Sequence, residues 1–168
     1  MIFDVTTFVG FHTVLSLVAL GFGIVATLAL IGGSAPPALA LAFLVTMIGT
    51  SATGFGFPFV QFLPSHAVAI VSLVVLLAVV LARYQFAYVG AWRWIYAAGV
   101  VLATYLDAFV LVVQLFQKVP ALKAMAPTGS EPPFAIVQGI VLIVFIGLGI
   151  AAVRKFHPAS AAFTATSS

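Results

Sequence analysis

Five apolar runs, each long enough to cross a bilayer, leave this chain almost no choice of solvent. They fall at about residues 8–31, 38–60, 66–83, 92–118 and 134–153, with short segments between them. A helix needs about 20 apolar residues to cross the hydrocarbon core. In lipid its backbone polar groups must be satisfied within the helix itself. Only 5% of the 168 residues are charged, where a soluble domain carries about 25%. So few charges cannot cover a globule in water, and the expected solvent is the lipid bilayer. The expected fold class is all-α: one transmembrane helical bundle of five spans over residues 1–156, then a disordered cytoplasmic tail over 157–168.

Composition also removes several functions. The net charge of +3 comes from few residues and forms no basic cluster of the kind that phosphate backbones require, so no nucleic-acid partner is expected. With no cysteine, thiolate nucleophiles, iron–sulfur clusters, thiolate zinc sites and disulfides are excluded. The N-terminal residues 1–7 carry Asp4 but no Lys or Arg, and the apolar run behind them has the length of a full span rather than of a signal peptide. It is retained as the first helix.

The connecting segments carry turn chemistry. In GGSAPP (32–37) the glycines end one helix, Ser34 is placed to cap, and the prolines suit the first turn of the next. Pro58 in GFGFPF (54–59) is expected to kink or end the second helix. A tight turn is expected at 61–65, with Ser65 capping the third helix. Tyr84, Tyr88, Trp92, Trp94 and Tyr96 form an interfacial aromatic belt. Segment 119–133 is the longest hydrophilic stretch, and 120–126 suits a short helix on the membrane surface. Arg83, Arg93, Arg154 and Lys155 fall at one side, and Lys118 and Lys123 at the other beside Asp4 and Glu131. Lys and Arg mark the cytoplasmic face, which gives N-terminus out and C-terminus in.

Chemistry centres on Asp107, in the middle of the fourth run. A carboxylate at that depth costs about 2.5–3.5 kcal/mol on insertion scales, so it needs a partner, a wet cavity or a proton. Helical spacing puts Tyr96, Val100, Thr104, Asp107, Leu111, Gln114 and Lys118 on one stripe, which is taken as the inward face. On the first helix His12, Ser16, Ala19, Gly23 and Ala26 make a small, weakly polar face; on the second, Thr46, Gly49, Thr50 and Thr53 share one. His12, Thr53, Gln61, His66, Gln114, Gln117 and Gln138 all fall toward the outer ends of their helices. An outward-opening polar cleft is expected, with Asp107 at its floor as the proton-handling group. His12, His66, Gln114, Thr53 and Gln138 are its candidate ligand-binding residues. A neutral imidazole from each of two helices is an arrangement that clamps haem, so His12 and His66 are candidate axial ligands of a haem b. Alternatively, Asp107 is interhelical glue and the histidines are interfacial. Gly139, Gly147 and Gly149 suggest close packing within the bundle or with another subunit.

Three stretches, HTVLSLVALGFGIVATLALIGG, MIGTSATGFGF and VPALKAMAPTGSEPPF, resemble a family of small bacterial multi-span integral membrane proteins of uncharacterised function. The resemblance implies the same topology and a bacterial inner-membrane location. The bundle is also distantly similar to membrane cytochromes b, although two eligible histidines allow at most one haem. The readings that follow are a redox protein binding a haem or a quinone-like ligand, a non-catalytic accessory or assembly subunit docked on a membrane-protein partner or a second copy, and a small proton-coupled transporter.

Overall fold

The computed structural model describes residues 6–56 and 64–158. Among the described residues the chain is all-helical: α1 (Phe8–Ile31), α2 (Pro37–Gly54), α3 (Pro64–Val80) continued by a π-helical turn (Leu81–Gln85), α4 (Trp92–Lys118), the short α5 (Pro120–Met125) and α6 (Pro132–Lys155). Five helices are long and apolar enough to cross a membrane, the third counted from His66 to Gln85 through the π turn.

The helix ends follow local chemistry, with some departures from expectation. The Thr7 hydroxyl caps α1 by accepting from the Gly10 amide at 3.1 Å. Gly33, at a φ of +80°, lets the chain leave α1. Ser34 does not cap α2; its amide and hydroxyl both turn back to the Ala29 carbonyl, at 2.9 and 3.3 Å. Pro37 opens α2 instead, its missing amide costing nothing in a first turn. Helix α3 begins at Pro64 for the same reason, one residue ahead of Ser65, where the cap was expected. The expected kink at Pro58 and the polar Gln61 lie outside the described residues, as do the last ten residues of the tail. The end of α3 was expected at Arg83 but runs to Gln85, where the Phe86 amide reaches back five residues to the Leu81 carbonyl at 3.0 Å. Helix α6 extends two residues beyond expectation at each end.

Helices α1 to α4 form a ring in which each packs on the next and α4 closes onto α1. Glycines permit the tightest approaches. A Cβ on Gly23 of α1 would stand 2.5 Å from Thr104 Oγ1 of α4 and 3.0 Å from Met47 Cε of α2, so these three helices meet where only a hydrogen fits. Gly99 of α4 lies equally close to Val79 of α3. Helix α6 sits outside the ring against α4 and α1. Its Gly149 packs on Val101, whereas Gly139 and Gly147 have nothing within 4 Å of a Cβ and take no part in packing within the bundle.

Apolar packing is concentrated at one end. Leu30, Phe43, Leu76, Val79, Val100, Val101, Met47 and Phe156 belong to a single buried cluster; the first six lie in the halves of their helices nearest Arg83, Arg93 and Arg154, Met47 lies just past the middle of α2, and Phe156 directly follows α6. We call this the basic end. Arg83 Nη1 donates there to the hydroxyls of Tyr88 and, at 3.3 Å, Tyr96, and to the Ala35 carbonyl at 3.4 Å. Arg93 Nη1 holds the carbonyls of Phe156 at 2.6 Å and Val153 at 3.2 Å, fixing the end of α6. The Tyr88 and Phe156 rings meet edge to face at 5.3 Å. Apolar packing at the opposite end is a small cluster of Val112, Phe116 and Ala126.

Candidate functional site

The half of the ring that lacks the apolar cluster is where the sequence's polar residues gather. The alternation of helix direction brings the start of α1, the end of α2, the start of α3 and the end of α4 to this histidine end. His12 Nδ1 and Thr53 Oγ1 are 2.9 Å apart, while Thr53 also donates to the Gly49 carbonyl at 2.8 Å. A hydroxyl has one proton, so with that proton on Gly49 its oxygen accepts from His12 Nδ1–H. That selects the tautomer whose Nε2 is an acceptor. His66 is buried, 2% exposed, with the Phe55 ring stacked 6.0 Å from it.

Both histidines therefore pack on the last turn of α2, from different helices. Between them, a Cβ on Gly54 would stand 4.0 Å from His12 Cε1 and 4.0 Å from Ala69 Cβ, one turn beyond His66. The end of α2 thus packs against both histidine-bearing helices, α1 at His12 and α3 at Ala69. Among the described residues no three of His, Asp and Glu come close enough to hold a metal ion. Glu131 is committed to its own loop, its carboxylate accepting from the Thr128 amide at 3.0 Å, the Thr128 hydroxyl at 2.9 Å and the Ser130 amide at 3.1 Å.

Asp107 and Gln114 lie on the stripe of α4 that carries the buried Tyr96, Val100 and Thr104. Thr104 faces Gly23 and Met47, so the stripe points into the ring. Asp107 Oδ2 and Gln114 Oε1 are both buried without a hydrogen-bond partner, as are Thr50 Oγ1 of α2 and Thr27 Oγ1 of α1. An unmatched oxygen in a dry interior costs about 1–3 kcal/mol, which a donor reaching it would offset; Thr27 lies in the basic half of α1, whereas Thr50, Asp107 and Gln114 lie in the other half of the ring. Lys118, one turn beyond Gln114, is within electrostatic reach of His12.

Gln138 stands apart. Its Nε2 donates to the Phe109 carbonyl at 3.1 Å, tying α6 to α4. Phe109 is two residues from Asp107, about 200° around the helix, so Gln138 approaches a different face of α4 from the one that carries Asp107. Its Oε1 is also buried without a partner. Thr50 was recognised by its face but not as an unmatched acceptor. The role of Phe55 beside His66 has no signal in the sequence, because it depends on where α2 stops.

No family model, curated protein or solved structure matches this chain.

Proposed function

We propose that the chain is a multi-pass protein of a bacterial inner membrane that binds a donor-bearing quinone-type headgroup in the polar half of its four-helix ring, with Asp107 as the group that exchanges a proton with it. The observation that carries this reading is the pair of partnerless acceptors, Asp107 Oδ2 and Gln114 Oε1, on one inward stripe. Seven residues of helix separate them by about 10.5 Å. That is close to the span of a para-quinol ring with a hydrogen bond of about 2.8 Å at each hydroxyl. Leu111 lies between them on the same stripe and offers an apolar face to the ring. The positive-inside rule, applied to the cluster of Arg83, Arg93, Arg154 and Lys155 at the basic end, turns the histidine end outward. His12 and Thr53 then line the rim of the site, and Gln138 serves as a tie between helices.

A short-chain benzoquinol and its oxidised quinone, each titrated calorimetrically into the purified full chain in detergent, test the reading. The quinol is expected to bind more tightly than the quinone, because only the quinol donates at both ends. Asp107→Leu should weaken quinol binding about tenfold or more, as expected for the loss of a hydrogen bond to a charged group. Gln114→Leu should weaken it less, and Gln138→Leu should leave it unchanged. Equal or undetectable binding of both forms to the unaltered protein would remove the proposal.

A further inference from the structure

On the opposite side of α4 from Asp107, an open groove of about 530 Å³ runs between α4 and α6. Its walls are Val101, Leu102 and Tyr105 on one side and Phe145, Gly149 and Ile150 on the other. Leu102 and Ile150 are exposed on the outer surface, so the groove faces the bilayer and not the ring. On α6 it extends from Leu142 to Arg154, twelve residues or about 18 Å of helix. That is a little more than half the thickness of a hydrocarbon core of about 30 Å. The groove therefore reaches from the edge of the membrane to near its middle, the depth of one acyl chain.

Arg154 closes the shallow end. Its guanidinium has no hydrogen bond or ion pair among the described residues, whereas Arg83 and Arg93 at the same end are engaged by tyrosine hydroxyls and backbone carbonyls. Neither described carboxylate serves it: Asp107 lies at mid-span and Glu131 at the far end of α6. Among the described residues nothing supplies Arg154 with an anion. An apolar channel one acyl chain deep, capped at headgroup depth by a guanidinium with free donors, matches one kind of partner. We propose that the α4–α6 groove is a binding site for an anionic phospholipid, one acyl chain lying along Val101, Phe145 and Gly149 and the phosphate held by Arg154. Arginine suits this role because its planar fork of donors pairs with two phosphate oxygens at once. Gly149 keeps the channel open, since the nearest atom to a Cβ there, Val101 Cγ1, is 3.7 Å away; a larger side chain has room to enter and fill the groove. The site is independent of the one proposed in the ring.

Native mass spectrometry of the full chain, released from detergent with palmitoyl-oleoyl phosphatidylglycerol or with phosphatidylcholine of the same chains, tests the proposal. The unaltered protein is expected to retain phosphatidylglycerol about tenfold over phosphatidylcholine, because the choline cation offsets the charge of its phosphate and opposes the Arg154 guanidinium. Arg154→Gln should abolish the preference, Lys155→Gln should keep it, and Gly149→Leu should reduce retention of both lipids. Circular dichroism and the unfolding midpoint check that each variant is folded. Should Gly149→Leu prove unfolded, Ile150→Trp fills the same channel from its outer lip. Equal retention of the two lipids by the unaltered protein overturns the proposal. So does a loss in Lys155→Gln as large as in Arg154→Gln, which would mark a diffuse surface charge, or unchanged retention in a folded groove-filling variant.

Discussion

At the scale of single residues, the charged groups of this chain have unlike tasks. Arg83 is a structural staple: one guanidinium nitrogen reaches the π turn's neighbour Tyr88, Tyr96 on α4 and the Ala35 carbonyl ahead of α2. Arg83→Gln removes charge-assisted bonds to three segments at once and is expected to destabilise the folded protein by about 2–3 kcal/mol. A lowered midpoint in thermal unfolding in detergent checks this; an unchanged midpoint would show that the tyrosines hold the end without it. Glu131 governs its own loop. Hydrogen bonding, from the Thr128 amide above all, holds its carboxyl below the ordinary value of 4.5. The folded state thus binds that proton more weakly than the unfolded one. The loop's contribution is intact above pH 4.5 and is lost as pH falls through the lower folded value. Amide exchange at Thr128 and Ser130, corrected for intrinsic rate, is expected to accelerate only on acidification through that range, and Glu131→Gln should erase the step.

At the scale of helices, the controlling distances are those at glycines. Gly23 and Gly21 lie two residues apart on α1, yet a Cβ at Gly23 would collide with Thr104 while one at Gly21 meets nothing within 4 Å. Gly23→Ala should force α1 from α4 and cost about 1–3 kcal/mol. Gly21→Ala should be neutral or slightly stabilising, through helix propensity of about 1 kcal/mol or less. Unfolding midpoints of the two variants, measured side by side, decide the matter. Much at this scale could be read from the chain before any coordinates. The five spans follow from apolar run length, α4 begins and ends where the sequence places it, and the stripe from Tyr96 to Gln114 faces inward. Other features could not be read. A stripe identifies the buried side of a helix but not its neighbour, which is why the sequence assigns Gln138 to the cleft whereas in the fold it reaches the Phe109 carbonyl. Helix ends near proline were misplaced because Pro64 and Pro132 open helices as readily as they follow turns. The chain leaves the π turn through Ala87 and Tyr88 at positive φ, 44° and 62°, which neither residue type advertises.

At the scale of the whole molecule, the bundle is two unlike halves joined along the same helices. The basic end has an apolar cluster, two arginine staples and a group of interlocked rings. The histidine end has a buried imidazole, an intramembrane acid and acceptor oxygens without donors. Local stability follows packing and satisfied polar groups. Hydrogen exchange in nanodiscs is therefore expected to be slower around Leu30, Phe43 and Leu76 than around Thr50, Ser72 and Asp107, by about tenfold or more, equivalent to about 1.4 kcal/mol. Uniform protection along each helix would contradict the division. A ligand that supplies donors to Asp107 and Gln114 should narrow the difference by slowing exchange at the histidine end.

Among the described residues the ring of α1 to α4 is closed by contacts between those four helices, and α6 rests on its outside. During synthesis the enclosure can therefore be complete while α6 is still inside the ribosome. That helix then needs only a seat already shaped by α4 and α1, and Arg93 fastens it by gripping carbonyls that come within reach only once its end has emerged.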